Sequence, residues 1–214
     1  MFYKETIPFF SVIITTFNRA ILIQRAINSL IAQIENDWEA IIVDDGSTDN
    51  TNTYAYDLCL RDKRFTYFYQ TNQGTGKARN SGISLASGAY ITFLDSDDEF
   101  LPDHLNTRKN ILSKNEEIDL LWGGAEIIGY PYVPDINNPK AKIHLNECVI
   151  GGTFFIKREK IKEIGGFPPI KFGDDTKFFQ FAIDKGFKIY KTNINTYRYF
   201  TNGDDSLCKK YFEK

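Results

Sequence analysis

The chain has 214 residues, of which 42% are hydrophobic and 25% charged, with a net charge of -2. That length suits one domain, or a domain with a small lobe, burying about 70% of the surface of its unfolded form, and the balance excludes collagen-like, mucin-like and largely disordered classes. No basic stripe offers nucleic acid a footprint, and no run nears the roughly 20 apolar residues of a membrane span. Met1 to Phe10 lacks the apolar region and cleavage site of a secretory signal, so a cytoplasmic location is expected, with peripheral attachment at the inner face of a membrane left open.

In chain order, the first half alternates short apolar runs with amphipathic stretches, the pattern of βαβ units around a mostly parallel sheet. Phe10-Ser11-Val12-Ile13-Ile14-Thr15 reads as a buried strand, and Ile23, Ile27, Leu30 and Ile34 give helical spacing to residues 19–33. A second strand over 38–43 breaks at Asp44-Asp45-Gly46-Ser47, and Asp49 is placed to cap a helix through Tyr54 and Leu58. Residues 65–69 form a third strand, 75–86 a helix ended by Ser87-Gly88, and 89–94 a fourth strand running into Asp95-Ser96-Asp97-Asp98. After Leu101 a helix reaches about Lys114, with Pro102 in its first turn, where a missing N–H is harmless.

A single strand is expected over 119–128. An irregular loop or weak hairpin follows over 129–146, where Pro131, Pro134 and Pro139 fall, and marks the only lobe boundary. Residues 151–156 are strand-like, a short helix over 158–164 stops at Gly165-Gly166, and a helix over 174–185 precedes a strand over 187–190. The aromatic cluster Phe154, Phe155, Phe178, Phe179, Phe181, Tyr197, Tyr199 and Phe200 is read as core ahead of groove lining. Cys59, Cys148 and Cys208 are read as reduced thiols, and with only His104 and His144 besides, zinc has too few ligands.

Open parallel sheets take ligands beyond the carboxyl ends of their strands. Here those ends carry Thr15-Thr16-Phe17-Asn18, Asp44-Asp45-Gly46, Thr71-Asn72-Gln73-Gly74 and the acidic turn, all facing one cleft. Two carboxylates one residue apart at a bend repel unless a positive charge lies between them. A hard divalent cation, magnesium or manganese, suits that place, while a plain turn capping the next helix is the alternative. Gly74-Thr75-Gly76-Lys77-Ala78-Arg79 is no phosphate-binding loop, because Thr71 replaces its first Gly and Ala78 its Ser or Thr. Arg79 is left to meet a phosphate or a carboxylate. Asp174-Asp175 either caps a helix or supplies a base whose proton affinity its neighbour raises.

The ordered set Ser11 to Arg19, Ile42-Val43-Asp44-Asp45-Gly46-Ser47-Thr48-Asp49, Ala78-Arg79-Asn80-Ser81-Gly82, Leu94-Asp95-Ser96-Asp97-Asp98, Gly165-Gly166-Phe167 and Gly173-Asp174-Asp175 resembles family 2 of the inverting glycosyltransferases. The resemblance implies an α/β protein with the GT-A fold: a twisted, mixed but mainly parallel sheet flanked by helices. It implies one domain over 1–214, with a donor-binding half over about 8–100 and an acceptor-binding half over about 101–214. Thr15, Phe17 and Asp45 would line the base pocket, Asn18 and Ser96 would also bind the donor, and the Asp45 carboxylate would accept from a uracil imide, favouring a UDP-sugar. Arg79 resembles the donor-binding arginine. Within this DXD motif Asp97 matches the principal metal ligand, with Asp95 acting more through the ribose or the surroundings of the metal. Asp175 matches the catalytic base.

The implied function is metal-dependent, inverting transfer of a sugar to a hydroxyl of a carbohydrate or glycolipid, in polysaccharide or lipid-linked assembly. An inactive nucleotide-sugar-binding scaffold is the rival, against which both intact acidic pairs weigh. A nucleotidyltransferase would need a glycine-rich loop after the first strand, which Thr15-Thr16-Phe17-Asn18 is not. Some relatives add a metal-binding histidine in the last strand region, and Tyr197 to Asn202 contains none.

Overall fold

The computed structural model describes residues 7–201 apart from 136, 137, 139, 140 and 171. Cys208, Asn202, Pro139 and the first six residues, on which parts of the sequence reading fall, lie outside the described residues. Strand β1 (Phe10–Thr16) is central to the first half of the chain, parallel to β2 (Trp38–Asp44) on one side and β4 (Tyr90–Phe93) on the other, with β3 (Phe65–Tyr69) parallel beyond β2. The register sets Thr16 beside Asp44, and Asp44 beside Tyr69, so the polar strand ends arrive at one edge.

The connections between these strands are the helices α1 (Leu22–Ile31), α2 (Thr51–Arg61) and α3 (Thr75–Leu85). Alternate residues of β1 enter opposite cores. Val12 and Ile14 meet Ile23, Ile27 and Leu30 of α1, whereas Ile13 packs with Ala78 and Phe93 on the other face. Burial on both faces is why β1 is apolar throughout rather than alternating.

Helix α4 (His104–Lys114) leads into β6 (Leu120–Trp122) and β7 (Ala125–Ile128). A hairpin of β8 (Tyr132–Pro134) and β9 (Lys142–His144) and a single-turn helix at Gly151–Thr153 then come before β10 (Phe155–Lys157). Helices α5 (Arg158–Ile164) and α6 (Asp174–Asp184) and the strand β11 (Ile189–Lys191) complete the large sheet, whose order is β11-β6-β10-β4-β1-β2-β3. Only β10 runs antiparallel to its neighbours β4 and β6, which makes the sheet mixed but mainly parallel, as expected. A three-stranded sheet sets β12 (Tyr197–Phe200) between β7 and the two-residue strand β5 (Glu99–Phe100).

Three local expectations are corrected, and two short strands were not foreseen. The strand expected over 119–128 is two strands in two sheets, parted at Gly123 and Gly124, whose φ angles of 88° and 75° lie in the left-handed region that glycine tolerates. Pro102 precedes α4 instead of entering it, and its carbonyl accepts from Ile34 N–H at 2.9 Å. The start of the strand-like stretch at 151–156 is a helical turn. Strands β5 and β12 carry too short a pattern to be read locally.

Replacing Gly124 by Ala, whose Cβ would overlap the Ile194 carbonyl oxygen, is expected to destabilise by at least about 2 kcal/mol in a urea melt. A melt like that of the wild type would show that this break in the strand tolerates a side chain.

Of the aromatic cluster, Phe154, Phe155, Phe178 and Tyr197 are fully buried, in line with the core reading, whereas Tyr199 and Phe200 are half-buried and line a cleft, as the groove alternative has it. Cys59 and Cys148 are free thiols. Among the described residues no helix is long and apolar enough to cross a membrane.

Candidate functional site

A cleft of about 560 Å3 opens where β1 to β4 end. Thr15, Phe17, Asn18, Asp45, Arg79, Asp95, Ser96 and Asp97 all line it, with Tyr199 and Phe200 of β12 on another wall. The structure thus brings together the eight residues that sequence reasoning placed around a donor and its metal. Asp175 is not on that lining and stands beyond Arg79.

Several of these residues also hold the loops in place. Asn18, in the left-handed region at φ 53°, accepts from Thr48 N–H at 2.7 Å, and its own N–H donates to the Ser47 hydroxyl at 2.9 Å. Asp49 accepts from Ala20 N–H and Thr51 N–H, both at 3.0 Å, which ties the loop after β1 to the start of α2. Buried Asp45 accepts from Gln70 Nε2 at 2.7 Å and Gln73 N–H at 2.9 Å on Oδ1, and from Gly74 N–H at 2.8 Å on Oδ2. Three donors on one carboxylate make Asp45 the clamp of the loop after β3.

The acidic turn faces cations from this chain. Arg19 Nη1 lies 2.7 Å from Asp97 Oδ1, and Arg79 Nη2 lies 3.0 Å from Asp95 Oδ1. Burial raises the proton affinity of Asp97, Arg19 opposes that, and the charge of Asp95 adds to it. Asp98 points away into the fold: it accepts from the Tyr197 hydroxyl at 2.7 Å and from Phe200 N–H at 2.9 Å, and burial followed by Asp97 and Asp95 pushes its carboxyl well up.

Among the described residues no three His, Cys, Asp or Glu side chains converge as a metal cage. Two hard carboxylates on an open cleft, each paired with one arginine, do fit a divalent cation that takes its other oxygens from water and a substrate phosphate.

Arg79 is the strut between the two halves. Its side chain is 7% exposed and reaches Asp95 on one side and Asp174 Oδ2, at 3.2 Å, on the other. The guanidinium lies 5.1 Å from the Phe167 ring centroid and 5.7 Å from that of Phe93. Burial works against its charge, but Asp95, Asp174 and Asp175 outweigh burial and keep it protonated.

Next to this strut, Asp175 begins α6. Its Oδ2 accepts from Gly151 N–H at 3.2 Å and its Oδ1 from Thr176 N–H at 2.7 Å. Burial, then the charge of Asp174, raises the Asp175 carboxyl to about 6 against the pull of Arg79. Asn80 secures the same region from α3, accepting from Phe167 N–H and donating to the Phe167 carbonyl, each at 2.8 Å.

Sequence reasoning missed Arg19, Asp98 and Tyr197 as site-building residues; it set Asp174 beside Asp175 as the charge that raises it, but did not find its ion pair with Arg79. Arg19 directly follows the first strand end, and its lone cationic charge opposite an acidic turn was a usable signal. Tyr197 is separated from Asp98 by 99 positions, and no local pattern links them.

An open α/β sheet with acidic and basic side chains interleaved at its strand ends defines a ligand-binding class of protein, with the cleft where that architecture places it. The chain belongs to glycosyl transferase family 2, whose sequence profile matches residues 11–165. The architecture is the GT-A fold. S. aureus TarS 1–349, solved in complex with UDP-GlcNAc, superposes with a TM-score of 0.77 at 24% identity, over 92% of this chain and 60% of that one.

A Campylobacter jejuni protein named GalNAc(5)-diNAcBac-PP-undecaprenol beta-1,3-glucosyltransferase is 43% identical over 102 residues, which are 47% of this chain and 33% of that protein. An uncharacterized glycosyltransferase of Rickettsia prowazekii is 32% identical over 199 residues, 87% of this chain and 60% of its own length. The chain therefore spans between a third and about 60% of the length of these relatives.

Proposed function

We propose that this domain transfers a sugar, with inversion, from a nucleoside-diphosphate donor to a hydroxyl of a carbohydrate or glycolipid acceptor. The carrying observation is the convergence of Asp45, Arg79, Asp95 and Asp97 on one cleft at the strand ends, with Asp175 across the Arg79 strut. A uridine nucleotide is the favoured donor: Asp45 Oδ2 accepts one N–H from Gly74 and has a lone pair left for an imide N–H, and the TarS structure holds UDP-GlcNAc.

Thr15, Phe17 and Asn18 would form the nucleoside end of the cleft, with Ser96 and Arg79 nearer the phosphates. Asp97, and Asp95 beside it, would hold a Mn2+ or Mg2+ ion, which when bound supplies Lewis-acid neutralisation of the departing diphosphate.

Asp175 takes the proton of the acceptor hydroxyl as its oxygen attacks the anomeric carbon from the face opposite the leaving group, so one displacement inverts the centre. Arg79 keeps the base and the acidic turn in a fixed relation during that step. Donor contacts thus belong to the first half of the chain and acceptor contacts to the second. The relative named for an undecaprenol-linked substrate supports a lipid-linked acceptor, and with it a location on the cytoplasmic side, at the inner face of a membrane.

Titration calorimetry with UDP and Mn2+ tests the donor site. Replacing Asp97 by Ala is expected to weaken metal-dependent UDP binding by more than about 100-fold. Equal binding by the variant, or equal binding with a chelator present, would remove the metal from this reading.

A further inference from the structure

We propose that Arg19 is an internal counter-ion of Asp97 that a divalent cation displaces, and that the displaced guanidinium then engages the donor diphosphate. This rests on Asp97 being the cation ligand. Arg19 Nη1 is 2.7 Å from Asp97 Oδ1 and 3.3 Å from the Ser96 hydroxyl oxygen, on the cleft wall where the cation would be held.

Two other arginines stand at the acidic turn, neither on a carboxylate oxygen of Asp97. Arg79 is fastened to two carboxylates and lies against two aromatic rings. Arg25 pairs with Glu99 at 3.2 Å, bonds the Asp97 carbonyl and stacks on Phe200 at 3.9 Å. Arg19 is carried by the loop between β1 and α1 and lines the cleft, on the carboxylate that would hold the cation.

Charge balance gives the reason for an exchange. Asp97 lies close to Asp95, and burial penalises its charge further, so it needs a positive partner in every state of the domain. A dication competes for the same carboxylate oxygen with twice the charge. The donor then brings a diphosphate, for which a planar guanidinium is a better partner than for a carboxylate already on a metal. Arg19 thereby keeps the empty turn from repelling itself and makes cation and diphosphate arrive together.

The test compares wild type, Arg19→Gln and Arg19→Lys by manganese electron paramagnetic resonance without nucleotide, then by UDP calorimetry at saturating Mn2+. Arg19→Gln is expected to bind Mn2+ alone about three- to tenfold tighter, and UDP about tenfold weaker. Arg19→Lys, which keeps the charge but not the fork, should bind Mn2+ as wild type does and lose part of the UDP affinity; it carries the test if the Gln variant does not fold.

Unchanged or weaker Mn2+ binding by Arg19→Gln, with UDP still recruiting the metal, overturns the exchange and leaves Asp97 as ligand. Tighter Mn2+ binding with unaltered UDP affinity also overturns it, because the guanidinium then has no diphosphate role. Failure of all three proteins to take Mn2+, with or without UDP, overturns both this inference and the metal reading.

Discussion

Replacing Asp175 by Asn is expected to slow sugar transfer by about 10²- to 10⁴-fold while nucleotide binding stays at the wild-type level. The carboxyl lies off the cleft proposed to hold the nucleotide, so its loss should remove the proposed proton acceptor and spare the donor contacts. Asn preserves the shape and can keep one oxygen on the Gly151 N–H. Its pH signature follows from the raised proton affinity: with the carboxyl titrating at about 6, the base is protonated and idle below that pH and ionised above it. The wild-type rate should therefore rise with pH through about 6 and level off near neutrality. Initial rates of nucleoside diphosphate release from about pH 5 to about pH 8 check this, and the Asn variant should lose the acid limb. A variant that transfers at the normal rate, or a wild-type profile flat over that range, would take the base role from Asp175.

The second large effect is expected at Arg79, and it is one of stability. Arg79→Met keeps the length of the side chain but leaves Asp95 and Asp174 facing each other's charge across a site only 7% open at the arginine. Breaking a buried pair by removing one partner is strongly destabilising, here by about 3 kcal/mol, because the other charges stay behind without compensation. For a chain of 214 residues that is a fall of roughly 10 °C in Tm. Differential scanning calorimetry measures it, and added Mn2+ should recover part of the loss by neutralising Asp95. An Arg79→Met protein that melts with the wild type would remove the strut role and leave Arg79 only its place near the donor phosphates.

Much of this was legible in the chain because it is local. A strand buried on both faces must be apolar throughout, so 10–15 announced β1, and the polar residues that interrupt each apolar run had to sit at strand ends, where a parallel sheet gathers them. The short helix at 158–164 and its stop at Gly165, with φ of 75°, follow from the same near-neighbour physics. The polar strand ends from Thr15 to Asp97 that line the cleft were therefore readable as one edge from their order, while the role of each residue there came from the family resemblance.

What stayed hidden depends on pairing between distant segments. The 119–128 run looks like one strand until the two glycines at 123 and 124 turn it from the large sheet into the small one. Whether Asp174 and Asp175 cap a helix or shape a site was undecidable, because the answer is the position of Arg79, 95 residues earlier in the chain. Sequence by itself determined the fold class, the edge at which ligands bind and the residues exposed along it. Only the tertiary structure decided how the charges are shared among them: Arg19 on Asp97, Arg79 between Asp95 and Asp174, and Asp98 turned inward to Tyr197. The physical reason is that backbone patterning is set by neighbours along the chain, whereas the electrostatic state of a carboxylate is set by whichever charge folding brings within a few ångströms of it.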